Sequence, residues 1–252
     1  MTASRRNPWR ERAASARRGA PRPLPGYAPP ARAHPATARA WHRRIVTAAG
    51  IGGAGLLGTS LSTKAGSPQC YILTIGVAST WAAGALSSEP IPLDMTDGWD
   101  GHRCRTVVMS VLTGAGAFGI FYGAARLARH IPPLNRAIGG VVDDGSTRLV
   151  LVTACAAAVA EELFFRGALW SLVQDSHPVV KTTLAYAATT AATRNPALVI
   201  AGSATSVLFG LLRRTAGGIL APALTHLTWS LLMLCYLPPL FSEPRQPQLA
   251  RY

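Results

Sequence analysis

From Ile45 onward, apolar residues fall into runs close to bilayer length, about 20 residues each. They occupy 45–62, 70–87, 106–126, 148–173, 179–193, 196–213 and 217–237. This pattern predicts an all-α, polytopic helical membrane protein with about seven transmembrane helices, within a range of six to eight. The fifth run is the weakest, being short and rich in Thr and Ala. Asn195-Pro196 forms a natural break between the fifth and sixth runs, and Asp143-Asp144-Gly145-Ser146 offers turn and N-cap chemistry before the fourth. The stretch 127–147, with Pro132-Pro133 and several cations, reads as a surface loop or an interfacial helix.

Residues 1–44 have a different character. They hold seven Pro, eleven Arg and one acid, Glu11, with no aliphatic run. Such a segment buries too little apolar surface to offset its ordering entropy, so a disordered basic arm is expected. The chain then divides into this arm (1–44), accessory transmembrane helices (45–144), a helical core (145–240) and a short tail (241–252). Charge makes up only 14% of the 252 residues and apolar residues 49%. A soluble domain usually carries about 25% charge. The net charge of +14 would suggest a nucleic-acid partner, but +10 of it sits in the arm. Anionic lipid headgroups are the better partner for such an arm, with no nucleic acid implied. Ser4-Arg5-Arg6 is not read as a twin-arginine signal, because no apolar run follows for some forty residues. The Lys/Arg bias places the N-terminus inside, a result that rests on the arm. The Arg-rich, Ala-rich composition suggests a multi-pass protein of a bacterial plasma membrane.

Two patterns are set aside. Cys70, Cys104, Cys155 and Cys235 are widely spaced and read as small apolar residues of membrane helices. Gly50-Ile51-Gly52-Gly53-Ala54-Gly55 matches a dinucleotide-binding fingerprint, but it follows a basic arm rather than a strand, and the next acid is Glu89. Close helix packing explains it better, as it would Gly119-x-x-x-Gly123.

Chemistry is concentrated in the fourth run, which reads Glu161-Glu162-Leu163-Phe164-Phe165-Arg166-Gly167 after twelve mostly apolar residues. Three ionisable groups near the middle of a membrane helix would cost roughly 7–10 kcal/mol if uncompensated. Glu162 and Arg166 are four apart and share a helical face, with the acid first, the better order for a pair. Glu161 lies about 100° around the helix and has no such partner, which suits a general base acting on water. The seventh run carries His226 and Ser230, again four apart. If the fourth helix runs inward and the seventh outward, Glu161 and His226 differ in depth by about one turn. The expectation is that they face one another across one intramembrane cavity.

The 161–167 segment resembles the EExxxR motif of the CAAX-processing and bacteriocin-processing (CPBP, or Abi) family of intramembrane endopeptidases. The stretch from Phe209 through Arg213-Arg214-Thr215 and Pro222 to His226 is similar to that family's approach to its last motif, HxxxN or HxxxD. Together the resemblance covers roughly 145–240. It implies a helical membrane endopeptidase acting on a membrane peptide or protein. Glu161 would activate water, Glu162 would assist or orient, Arg166 would complete the motif, and His226 would help stabilise the oxyanion. Ser230 stands where the motif has Asn or Asp. The family's middle motif, FxxxH, falls either on Phe209–Arg213, with Arg replacing His, or around Thr189–Thr193, where both marker residues are missing. The family has been described as metal-dependent and as glutamate-based. A zinc site needs about three protein ligands, which Glu161, Glu162 and His226 supply only if both adjacent acids turn to one ion. Metal-free chemistry without a cofactor is therefore expected. Two further classes remain open: a catalytically degenerate relative that binds or scaffolds membrane peptides, and a proton-coupled transporter using Glu161, Glu162 and His226 as a relay.

Overall fold

A computed structural model of the chain describes residues 35–88, 101–139 and 147–241. The described residues are helices joined by short turns. Helix α1 spans Pro35–Ser62, α2 Pro68–Leu86, α3 Gly101–Ala128 and α4 Pro132–Gly139. A continuous helical run follows, made of α5 (Thr147–Glu161), a π-helical segment (Glu162–Ala168) and α6 (Leu169–Val173). Then come α7 (Pro178–Ala191), α8 (Pro196–Ala216), α9 (Leu220–Tyr236) and α10 (Pro238–Phe241). Each of the seven apolar runs corresponds to one helical run, and the protein is an all-α polytopic membrane protein. By length and composition, α1, α2, α3 and α8 are long and apolar enough to cross a bilayer. Helix α9 is a shorter apolar helix, and α7 has 14 residues.

Local chemistry sets the boundaries. Asn195 caps α8 by accepting hydrogen bonds from the Ala197 and Leu198 amides, with Pro196 opening the first turn. Ser67 accepts from the Cys70 amide at the start of α2, again with Pro at the first position. Gly217 closes α8 in the left-handed region (φ 75°), where its amide donates to the Arg213 carbonyl. Helix α1 opens at Pro35, ten residues before the apolar run that predicted it, so the helix carries the last three arginines of the basic segment. The remainder of the arm (1–34), the Asp143–Ser146 turn and most of the tail (242–252) lie outside the described residues.

One apolar core joins α1, α2 and the π segment. Trp81 is 1% exposed, stacked on Phe164 with centroids 6.2 Å apart and edge-on to Phe165 at 5.5 Å. Lipid tails remove most of the hydrophobic driving force between helices, so dispersion and close backbone approach must hold this contact. The glycine run supplies the approach. A Cβ on Gly53 would lie 2.0 Å from Trp81 Nε1, whereas one on Gly55 would meet nothing within 4 Å. Gly53→Ala is therefore expected to cost roughly 1–3 kcal/mol by overpacking, and Gly55→Ala close to nothing. Thermal unfolding of the two variants in detergent checks this; equal midpoints would contradict it. Close packing does not explain Gly119-x-x-x-Gly123: a Cβ at either position meets open space. In α3 the tight contact is instead at Gly114, where a Cβ would lie 2.7 Å from the Thr225 carbonyl of α9. Beside it, the Thr225 hydroxyl donates to the Ser110 carbonyl. Helices α7 and α8 pack together, α9 packs on α3, α5 and α8, and the π segment meets α2, α7, α8 and α9. Four helices thus converge on the stretch that holds Glu162 and Arg166.

Candidate active site

The sequence Glu162–Ala168 leaves the α-helical ladder for i→i+5 bonding, a widened turn that appears mostly as single insertions at functional positions. Every residue of the segment but Leu163 is buried. Glu162 and Arg166 are each 0% exposed, and Arg166 Nη1 donates to Glu162 Oε1 at 3.2 Å. The predicted pair is present. Arg166 is anchored further than sequence spacing showed: Nη2 donates to the Ser206 carbonyl at 3.0 Å and the Ser206 hydroxyl at 2.9 Å. Its guanidinium also lies 5.3 Å from the Phe209 ring centroid and 5.6 Å from that of Tyr186. A buried cation with one acid, two oxygens of a neighbouring helix and aromatic faces is well compensated.

His226 is brought to the same acid. Its Nδ1 lies 3.0 Å from Glu162 Oε1, and its ring stacks on Phe209 with centroids 4.7 Å apart. With Arg166 opposite, Glu162 is held as the acceptor, so the imidazole donates through Nδ1 and Nε2 is the ring atom left for a substrate. The expectation from depth set His226 across a cavity from Glu161; its hydrogen bond goes to Glu162, with Glu161 within electrostatic reach of the ring.

Glu161 is only partly buried, unlike its neighbour. It is not the unpartnered acid that the sequence suggested, since the Tyr186 hydroxyl of α7 donates to Glu161 Oε2 at 2.5 Å. His226, Glu162 and Arg166 all lie within electrostatic reach of it, so the two acids and the imidazole share one site. No sequence signal marked Tyr186, an aromatic on the weakest apolar run. Gly202 makes room for it: a Cβ there would lie 2.8 Å from Tyr186 Cε1.

Two further expectations change. Arg213 does not stand in for the middle-motif His near Glu161; its Nε donates to the Arg166 carbonyl at 2.8 Å and its guanidinium lies 5.5 Å from the Trp170 ring. On α7, the helix that does face Glu161, the aromatic-to-fourth-residue register is Tyr186 to Thr190. Thr190 is buried, with its hydroxyl donated back to the Tyr186 carbonyl. Ser230 is half-buried and makes no hydrogen bond to His226 or to either acid. Among the described residues, no three His, Cys, Asp or Glu side chains group closely enough to hold a metal ion.

Two acids, a guanidinium and an imidazole thus converge within an all-α membrane bundle. A model of the family described as Type II CAAX prenyl endopeptidase Rce1-like matches residues 144–232, the segment that holds all four groups. Over that segment, about a third of the chain, the protein is similar to this family of membrane endopeptidases, the CPBP family. No curated protein and no solved structure matches the chain.

Proposed function

We propose that the protein is an intramembrane endopeptidase that hydrolyses a peptide bond of a membrane-associated peptide or protein, with Glu161 as the base that activates water. One observation carries this reading. Of two adjacent acids, Glu162 is fully buried with Oε1 shared by Arg166 and His226, whereas Glu161 is partly accessible with Oε2 held by the Tyr186 hydroxyl. Two chemically identical groups in different surroundings are the arrangement expected when one orients and the other reacts.

In the proposed reaction Glu161 takes a proton from water as the oxygen attacks the peptide carbonyl. In this step His226 acts as an imidazolium, its Nδ1–H held by Glu162, and donates from Nε2–H to the oxyanion. Glu161 then returns its proton to the leaving amine as the C–N bond breaks. Tyr186 is a positioning residue that holds the Glu161 carboxylate at one oxygen. Glu162 keeps an unpartnered oxygen, Oε2, but among the described residues no three His, Cys, Asp or Glu side chains group as the three-ligand set that zinc needs. No step is routed through a metal or cofactor. The membrane of residence is proposed to be a bacterial plasma membrane, with anionic headgroups contacting the N-terminal arm.

The second reading is a peptide-binding relative without turnover. It is favoured by one feature: neither placement of the middle motif, Phe209–Arg213 or Thr189–Thr193, offers an imidazole. Purified protein in vesicles, given a membrane-tethered peptide, separates the two. Cleavage by the wild type is expected. Tyr186→Phe should lower kcat by about 10²-fold, the scale of a misplaced catalytic group, while leaving KM unchanged. A change in KM alone would show that Tyr186 contacts substrate rather than the base.

A further inference from the structure

A second polar concavity lies away from the acids. It has a volume of about 400 Å³ and is lined by Trp170, Gln174, His177, Pro178, Arg213, Arg214 and Gly217. These residues come from the ends of three helical runs: the close of α6, the start of α7 and the close of α8. Two arginines and a histidine face it, and no acid lines it. Arg213 is 8% exposed, yet its one hydrogen bond uses Nε, leaving both terminal nitrogens to the cavity. The ion pairs among the described residues join Glu162 to Arg166 and His226, so neither Arg213 nor Arg214 has a carboxylate partner. The nearest acid in sequence, Asp175, is exposed and outside the lining. A nearly buried guanidinium in the lining of a concavity, with a carbonyl and an aromatic face but no carboxylate beside it, would be completed by an anion.

The backbone is shaped for this opening. His177 occupies the left-handed region (φ 49°), which L side chains seldom adopt, and its imidazole does not cap α7. Gly217 turns the chain at the end of α8 with φ 75°. Arg213 and Arg214 belong to the last turn of a helix long enough to span a bilayer, which puts them at headgroup level. The Lys/Arg bias assigns that end to the inner leaflet. Toward the bilayer, Arg214 continues into Leu211 and Val207, one stripe of α8 that is 47% and 42% exposed. Helix α7 likewise shows Val180 and Leu184, 55% and 64% exposed, below His177. A cationic cavity above exposed apolar stripes has the polarity order of a phospholipid, with the charge outward and the acyl chains inward.

We infer that this cavity binds the phosphate of an anionic lipid headgroup from the cytoplasmic leaflet. Arg213 and Arg214 pair with the phosphate oxygens and Trp170 forms the wall behind Arg213. The site is tied to the acid cluster by the Arg213 Nε hydrogen bond to the Arg166 carbonyl.

The test is retention of spin-labelled lipid by the full chain in phosphatidylcholine nanodiscs, read as the immobilised fraction of labelled phosphatidylglycerol against labelled phosphatidylcholine. The wild type should prefer phosphatidylglycerol. Arg214→Gln removes an exposed cation without touching the acid cluster, and should weaken that preference about fivefold, the factor supplied by one interfacial cation. Arg129→Gln, an equal charge loss at an exposed position outside the cavity, should leave it intact. Several results would overturn the site: no preference in the wild type, or equal loss in both variants, which would indicate a diffuse field. Displacement of the labelled lipid by millimolar inorganic phosphate would reassign the cavity to a soluble phosphate. Displacement by a peptide with a free C-terminal carboxylate, but not by its amide, would reassign it to a peptide end. Because the readout is lipid retention, the outcome is independent of whether the protein cleaves peptides.

Discussion

Glu161→Gln is expected to abolish peptide cleavage while the protein still accumulates and folds. The amide keeps the size of the side chain and still accepts the Tyr186 hydroxyl hydrogen bond at the retained oxygen. It removes the one group able to take a proton from water, a contribution of typically 10²–10⁴-fold for a positioned general base. Replacing a carboxylate by a neutral amide also lowers the cost of burial in a membrane helix, so loss of turnover cannot be blamed on instability. The measurement compares purified wild type and variant in vesicles at matched protein, with a membrane-tethered peptide and mass-spectrometric detection of the new termini. Cleavage by the wild type alone supports the peptidase. Cleavage by neither favours the binding relative, and cleavage by both removes Glu161 from the mechanism. A proton-coupled carrier predicts something else: a proton flux across the vesicle membrane that Glu161→Gln stops, with no new peptide termini.

The second large effect is structural. Arg166→Ala takes away the guanidinium that Glu162, Ser206 and the Phe209 ring surround at zero exposure. Glu162 is left as a buried charge with only His226 beside it, a change that costs about 3–5 kcal/mol in protein interiors. Membrane accumulation should fall sharply. Glu162→Gln combined with Arg166→Met should recover much of it, because a neutral amide can still accept from His226 Nδ1 and Met fills most of the vacated volume. Thermal unfolding in detergent gives the same comparison as a coupling between the two positions. Equal losses in the single and double variants would show that the pair adds nothing to assembly. The double variant should also be inactive, since His226 loses the charged partner that orients it.

Much of the architecture was legible because lipid permits few alternatives. A backbone in hydrocarbon must satisfy its own hydrogen bonds, so long apolar runs become helices, and the helical runs lie where the runs lie. The turns could be read as well: Asn195 and Pro196 act as cap and first-turn residue through chemistry local to four positions. The onset of α1 at Pro35 was missed because Arg and Ala form helix readily even where no apolar run marks them. The Glu162–Arg166 pair was legible too, since a four-residue spacing brings two side chains together within one helix.

What the sequence could not determine is which groups meet across helices. Depth along the axis follows from counting residues, and it correctly brought His226 to the level of the acids. Rotation about the axis does not follow from counting, and the π segment at 162–168 resets it by widening the turn. The His226 ring hydrogen-bonds Glu162, with Glu161 within electrostatic reach. Tyr186, Ser206 and Arg213 join the cluster from positions 25, 40 and 47 residues away from their partners. Nothing local assigns those residues these partners. Their roles depend on which faces the packing turns inward, at contacts such as Gly202 against Tyr186, and that is a property of the assembled bundle.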